Sequence, residues 1–202
     1  MQHSEEFVEY QKFLISDQRE KLINPQIYNN LLAKDPRENL NVLDFGCGDG
    51  ATEIFMLQYY PAWKIDAIDV SEKSIAVARQ RNIPVNFAVF DGKHTAFADE
   101  SFDIIFMAGV LHHVEFGWHN LIMNEIARLL KKGGRLYLFE HNPLNPLTKH
   151  LVNTCVFDKD AKLLKSGYAV ELLKTSNLKI AAKNYIIFFP RKGVLSKLIF
   201  LE

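Results

Sequence analysis

Five short, largely apolar runs recur along the chain with helix-spaced segments between them, and that alternation leaves few folds open. The runs are NVLDF (Asn41 to Phe45), WKIDAIDV (Trp63 to Val70), VNFAVFD (Val85 to Asp91), a strand within FDIIFMAGVLHHV (Phe102 to Val114), and GRLYLFEHN (Gly134 to Asn142). Between the first two, TEIFMLQYY has helical spacing until Pro61 stops it. Ser71 is a good N-cap for EKSIAVARQRN, whose Ile75 and Ala78 share a face. HNLIMNEIARLLKKGG carries Ile122, Ile126, Leu129 and Leu130 on one stripe and ends in lysines and Gly133, as helix C-termini do. Strands apolar on both faces, alternating with helices, predict a doubly wound α/β fold: a mostly parallel sheet with helices on both faces.

At 202 residues with 48% hydrophobic content, the chain is sized for a single domain with a sizeable core. Residues 1–35 read as two or three short helices and 40–145 as the α/β core. Residues 146–202 form a C-terminal segment with a helix around Ala161 to Lys174, a strand-like run from Lys179 to Pro190, and an amphipathic ending at Val194, Leu195, Leu198 and Ile199. The formal charge is zero, which removes the basic excess that nucleic-acid binding needs. Only Cys47 and Cys155 occur, a usage that points to a reducing, cytoplasmic setting. No apolar run approaches the roughly 18 residues of a membrane span, so stable membrane insertion is not expected.

The first strand runs into VLDFGCGDG (Val42 to Gly50). Gly46, Gly48 and Ala51 satisfy the G-x-G-x-x-G/A fingerprint of dinucleotide binding, and Asp69, about twenty residues on, falls where an acid would hold ribose hydroxyls. Asp44 breaks the pattern: a carboxylate at the end of the first strand repels a pyrophosphate and attracts a positively charged ligand. A ligand bearing both an adenosine and an ammonium meets both demands.

These residues resemble the class I methyltransferases that use S-adenosylmethionine, in particular the small-molecule, UbiE-like branch. Asp44 with Gly46, Gly48 and Gly50 matches that family's first motif, Asp69 its ribose-binding acid, and Asp91 in VFDG its adenine-contacting acid. FADESFDIIFMAGVLHHV and LLKKGGRLYLFEHNP look like its fourth and fifth strand motifs, so the resemblance covers about residues 40 to 145. It implies cofactor contacts from Cys47 (through its backbone), Val70, Gly92, Ala108 and Gly109 as well. It also implies that the N-terminal helices, with Phe7, Tyr10, Phe13 and Tyr28, serve either as a lid or as plain core. The family sheet ends in a seventh, antiparallel strand, whereas a single strand-like run follows the fifth here. The expectation is a sheet lacking its last edge strand, or an edge completed by a partner chain in a homodimer.

Methyl transfer from a sulfonium is an in-line displacement, and a base is needed only when the acceptor must lose a proton. His112 and His113 follow the fourth strand and His141 the fifth, at the carboxyl edge where open α/β sheets bind ligands. They are the candidate bases, with one of the adjacent pair expected to face the acceptor and the other to pack away. No metal is expected, since no spacing such as H-x-x-x-H is present. The reading is a methyltransferase acting on O, N or C of a small-molecule acceptor. A catalytically silent cofactor-binding or adapter protein and a nicotinamide-dependent oxidoreductase are its alternatives.

Overall fold

The structure, a computed structural model, describes residues 39–155 and 158–185. The chain divides into two compact units: residues 37–144 with 160–183, and residues 1–36, 145–159 and 184–202.

In the larger unit β1 (Asn41–Phe45) leads through the glycine turn to α1 (Ala51–Tyr59), β2 (Lys64–Asp69) to α2 (Glu72–Gln80), and β3 (Val85–Val89) through a long loop to β4 (Phe102–Ala108). Two short 3₁₀ turns, Leu111–His113 and Phe116–Trp118, precede α3 (His119–Leu129), which runs directly into β5 (Leu130–Phe139). The strands form one parallel sheet in the order β3-β2-β1-β4-β5. The order reverses beside β1, which is where a doubly wound sheet opens a crevice at its carboxyl ends.

Both faces of the sheet are covered. Leu43, Phe45, Ile105 and Met107 pack with Ile122, Met123, Ile126 and Leu129 of α3 and Leu172 of α5 (Ser166–Thr175). On the opposite side Cys47, Ala67 and Phe87 pack with Ile75 and Ala78 of α2. Ser71 caps α2 as expected, its hydroxyl accepting from the Ser74 N–H. The smaller unit contributes α4 (Pro146–Thr154) to the described residues, with Asn145 Oδ1 accepting from the Thr148 N–H at the helix start.

Three expectations need correction. The fifth strand starts at Leu130 instead of Gly134, and α3 ends before the two lysines. Leu130 turns extended and packs into the core opposite Phe102, the register shifts before Ile104, and Gly133 takes a positive φ of 78° in the irregular stretch that results. The helix placed at Ala161 to Lys174 begins only at Ser166. Lys179 to Tyr185 forms no strand, because no neighbouring strand accepts its backbone among the described residues. The N-terminal lid, the run 186–190, the amphipathic ending and the edge of a homodimer all fall outside the described residues. Among the described residues no helix is long and apolar enough to cross a membrane.

Candidate cofactor and acceptor site

The sequence-predicted residues gather at the carboxyl ends of the strands. Asp44 closes β1 and is 2% exposed; Asp69 closes β2; Asp91 and Gly92 follow β3; Ala108 ends β4 and Gly109 follows it. Gly46 and Cys47 both donate backbone N–H groups to the Ile68 carbonyl, which holds the turn against β2. Gly46, Gly48 and Gly50 all have positive φ, the region that favours glycine. At Gly48 a side chain would meet nothing within 4 Å, so its backbone faces open space, as a turn that receives a ligand must.

Asp69 is fixed before any ligand arrives. Its Oδ2 accepts from the Gly48 N–H at 2.8 Å and its Oδ1 from the Ser71 N–H at 2.8 Å, leaving each oxygen a lone pair for a ribose hydroxyl. Asp91 holds its loop with one oxygen, Oδ1, which accepts from the N–H groups of Lys93 and His94. Those bonds to the charged form keep its carboxyl below the usual range. Val70, 60% exposed between these two acids and packed near Gly92, offers an apolar face of the kind an adenine ring covers. His94, in the loop after β3, is exposed.

The turn also carries a group that sequence reading missed. Glu53, in the first turn of α1, is 0% exposed, and neither of its carboxylate oxygens meets hydrogen-bond geometry with any partner. Its carboxyl nevertheless lies close enough to Asp44 for each to shift the other: burial first, then Glu53, then Asp69 push Asp44 well above the carboxylate range. Burial pushes Glu53 itself up to about 7. The sign that could have exposed it is an acid sharing the buried face of α1 with Met56. Two buried acids with no ion-pair partner of their own among the described residues make a site that favours a positively charged group, so the residues present fit the amino acid portion of S-adenosylmethionine. Cys47, buried beside them, has its thiol pushed strongly upward by burial and by the charges of Asp44, Glu53 and Asp69, so it stays protonated and unreactive.

On the β4 and β5 side the three histidines come together. His112 lies on the 3₁₀ turn after β4, and its ring centroid is 4.2 Å from that of His113 and 5.0 Å from that of His141. His112 is buried and His113 exposed; both lie on the 3₁₀ turn and neither on a strand, so the strand alternation expected for the pair does not apply. Glu140 orients the turn: its Oε2 accepts from His112 Nδ1–H at 2.7 Å and its Oε1 from the Leu111 N–H at 2.8 Å. His112 is 2% exposed and the Glu140 side chain 9%. That bond leaves His112 Nε2 as the ring's basic atom.

His119 underpins the same segment. Its Nε2–H reaches the carbonyls of Leu111 and Val114, both at 3.0 Å, and its Nδ1 accepts from the Tyr168 hydroxyl at 2.9 Å. These bonds make His119 a structural tie between the histidine-bearing turn and α5.

With this geometry in view, comparison with known proteins is informative. Residues 42–134 match the family model described as a methyltransferase domain. A 27-O-demethylrifamycin SV methyltransferase of Amycolatopsis mediterranei is 32% identical over 103 residues, 48% of this chain and 37% of that one. A demethylmenaquinone methyltransferase of Thermotoga maritima is 32% identical over 109 residues, 52% of this chain and 44% of that one. The chain thus spans less than half the length of either relative. The crystal structure of the PH0226 protein from Pyrococcus horikoshii OT3 superposes with a TM-score of 0.57 at 26% identity, covering 69% of this chain and 64% of that one. Sheet order, glycine turn and acid spacing agree with the match of residues 42–134 to a methyltransferase domain.

Proposed function

We propose that the chain methylates O, N or C of a small-molecule acceptor, with His112 as the base for acceptors that must lose a proton. When bound, S-adenosylmethionine supplies an electrophilic methyl group on a sulfonium. The turn from Gly46 to Gly50 and the N-terminus of α1 would hold its carboxylate, Asp44 its ammonium, Asp69 its ribose and Asp91 its adenine amino group. Those contacts fix the donor end, so that alignment of an acceptor against it supplies much of the rate.

The observation that carries the acceptor half is the His112–Glu140 pair. Glu140 keeps the proton on Nδ1, which makes Nε2 the atom that receives the acceptor's proton as the new bond forms. The carboxylate also stabilises the imidazolium that results. His113 and His141 flank that ring. A cytoplasmic setting accords with the cysteine usage.

The test is transfer of labelled methyl groups from S-adenosylmethionine to a panel of phenols, amines, carboxylates and activated carbon acids, with His112→Gln alongside. Label in one acceptor class that is lost in the variant supports the reading; full transfer by the variant removes His112 as the base.

A further inference from the structure

Glu53 stands behind Asp44 and has no role in the account so far. A buried glutamate whose oxygens accept from no N–H or hydroxyl donor among the described residues is costly, and packing alone gives no reason for it at a position where a leucine or alanine would complete the face shared with Met56. We infer that Glu53 is a positioning acid for the cofactor's ammonium: it shares one proton with Asp44 in the free protein, and the pair releases that proton when the ammonium arrives. The inference rests on the assignment of this turn to the methionine portion of S-adenosylmethionine.

The charges around the pair favour this behaviour. Asp69 on β2 adds negative charge beside Asp44, and Asp49 in the turn does the same beside Glu53. Arg81, at the end of α2, opposes Asp49 and is ion-paired with it, so its charge is largely spent there. The Cys47 thiol stays protonated and donates to the Gly48 carbonyl, so it adds no charge to the pair. Two acids crowded with further acids and cut off from water cannot both ionise until a cation joins them. The balance is simple. The pair goes from one negative charge to two, one proton passes to solvent, the ammonium keeps its three hydrogens, and no covalent bond to carbon changes. Glu53 acts through Asp44, which is the acid at the turn itself.

The experiment is calorimetric titration of the full chain with S-adenosylhomocysteine at pH 6, 7 and 8, in pairs of buffers with different ionisation enthalpies, which counts protons released on binding. The expected result is release close to one proton at pH 6, declining as pH rises through about 7, with Kd tightening several-fold from pH 6 to pH 8. 5′-Methylthioadenosine, which lacks the ammonium, is expected to bind without releasing protons. In Glu53→Gln the release should fall below that of wild type and the pH dependence of Kd should weaken, while 5′-methylthioadenosine binding reports that the variant is folded. Tight S-adenosylhomocysteine binding with no proton released, or unchanged release in Glu53→Gln, overturns the inference and leaves the cofactor assignment standing. Failure of S-adenosylhomocysteine to bind overturns both.

Discussion

His112 Nδ1 lies 2.7 Å from Glu140 Oε2, joining the turn after β4 to the residue that follows β5. Both residues lie just past the ends of adjacent strands, and Glu140 fixes the turn a second time by accepting from the Leu111 N–H. Replacing His112 by glutamine should lower kcat about 10²- to 10⁴-fold with an acceptor that must be deprotonated. S-adenosylhomocysteine affinity should change less than about twofold, since the base is distinct from the donor contacts. Glu140→Gln should cost less than His112→Gln, because the base survives with its orientation loosened. Steady-state kinetics beside a binding titration separates the two effects; a matching loss of cofactor affinity would place His112 in the donor site.

Glu53 makes a prediction about stability without any ligand. Its carboxyl is raised from 4.5 to about 7 in the folded protein, so the native state holds a proton that the unfolded chain gives up earlier. The stabilisation from that protonated form is present in full below the unfolded value and is lost as pH rises through about 7. Wild type should therefore lose on the order of 2 kcal/mol relative to Glu53→Gln between pH 5 and pH 8. Denaturant unfolding of both proteins at the two pH values measures it. A difference that stays constant with pH would mean that Glu53 is charged throughout.

The turn is sterically committed at Gly50. Its φ is 77°, and a Cβ there would come within 2.8 Å of Phe87 Cζ and 3.0 Å of the Ala78 methyl, so strain and overlap add. Gly50→Ala should destabilise the protein by about 2 to 4 kcal/mol and should also shift the start of α1. Gly48→Ala meets no neighbour within 4 Å, so it should cost less stability than Gly50→Ala, about 1 kcal/mol from its positive φ, while weakening cofactor binding. Comparing unfolding midpoints and S-adenosylhomocysteine affinities for the two variants distinguishes a glycine kept for packing from one kept for ligand approach.

Much of this architecture was legible in the sequence because it is written in local patterns. Runs such as NVLDF and FDIIF, apolar on both faces, specify buried parallel strands; Ser71 names its own helix start, and Asp44 and Asp69 follow their strands at readable intervals. What was not legible depends on long-range partners. The bond between Glu140 and His112 spans 28 positions and exists only because β4 and β5 are neighbours. His119 looked like the first residue of a helix, and its structural role follows from Tyr168 on α5. Leu130 read as the last member of a helical stripe; pairing with Phe102 turned it into strand. Lys179 to Tyr185 had the composition of a strand and found no partner among the described residues, which composition cannot reveal.

The central claim is that an acid at the end of β1 selects a cationic amino acid donor over a dinucleotide, and Asp44→Asn tests it with the side-chain shape preserved. Titration calorimetry of wild type and variant against S-adenosylmethionine, S-adenosylhomocysteine and NAD is the direct measurement. The account predicts that wild type binds the two sulfur compounds and not NAD, and that Asp44→Asn weakens both by about 1 to 3 kcal/mol, the value of a charge-assisted hydrogen bond. Unchanged affinity in the variant, or NAD binding by wild type without S-adenosylmethionine binding, would contradict it.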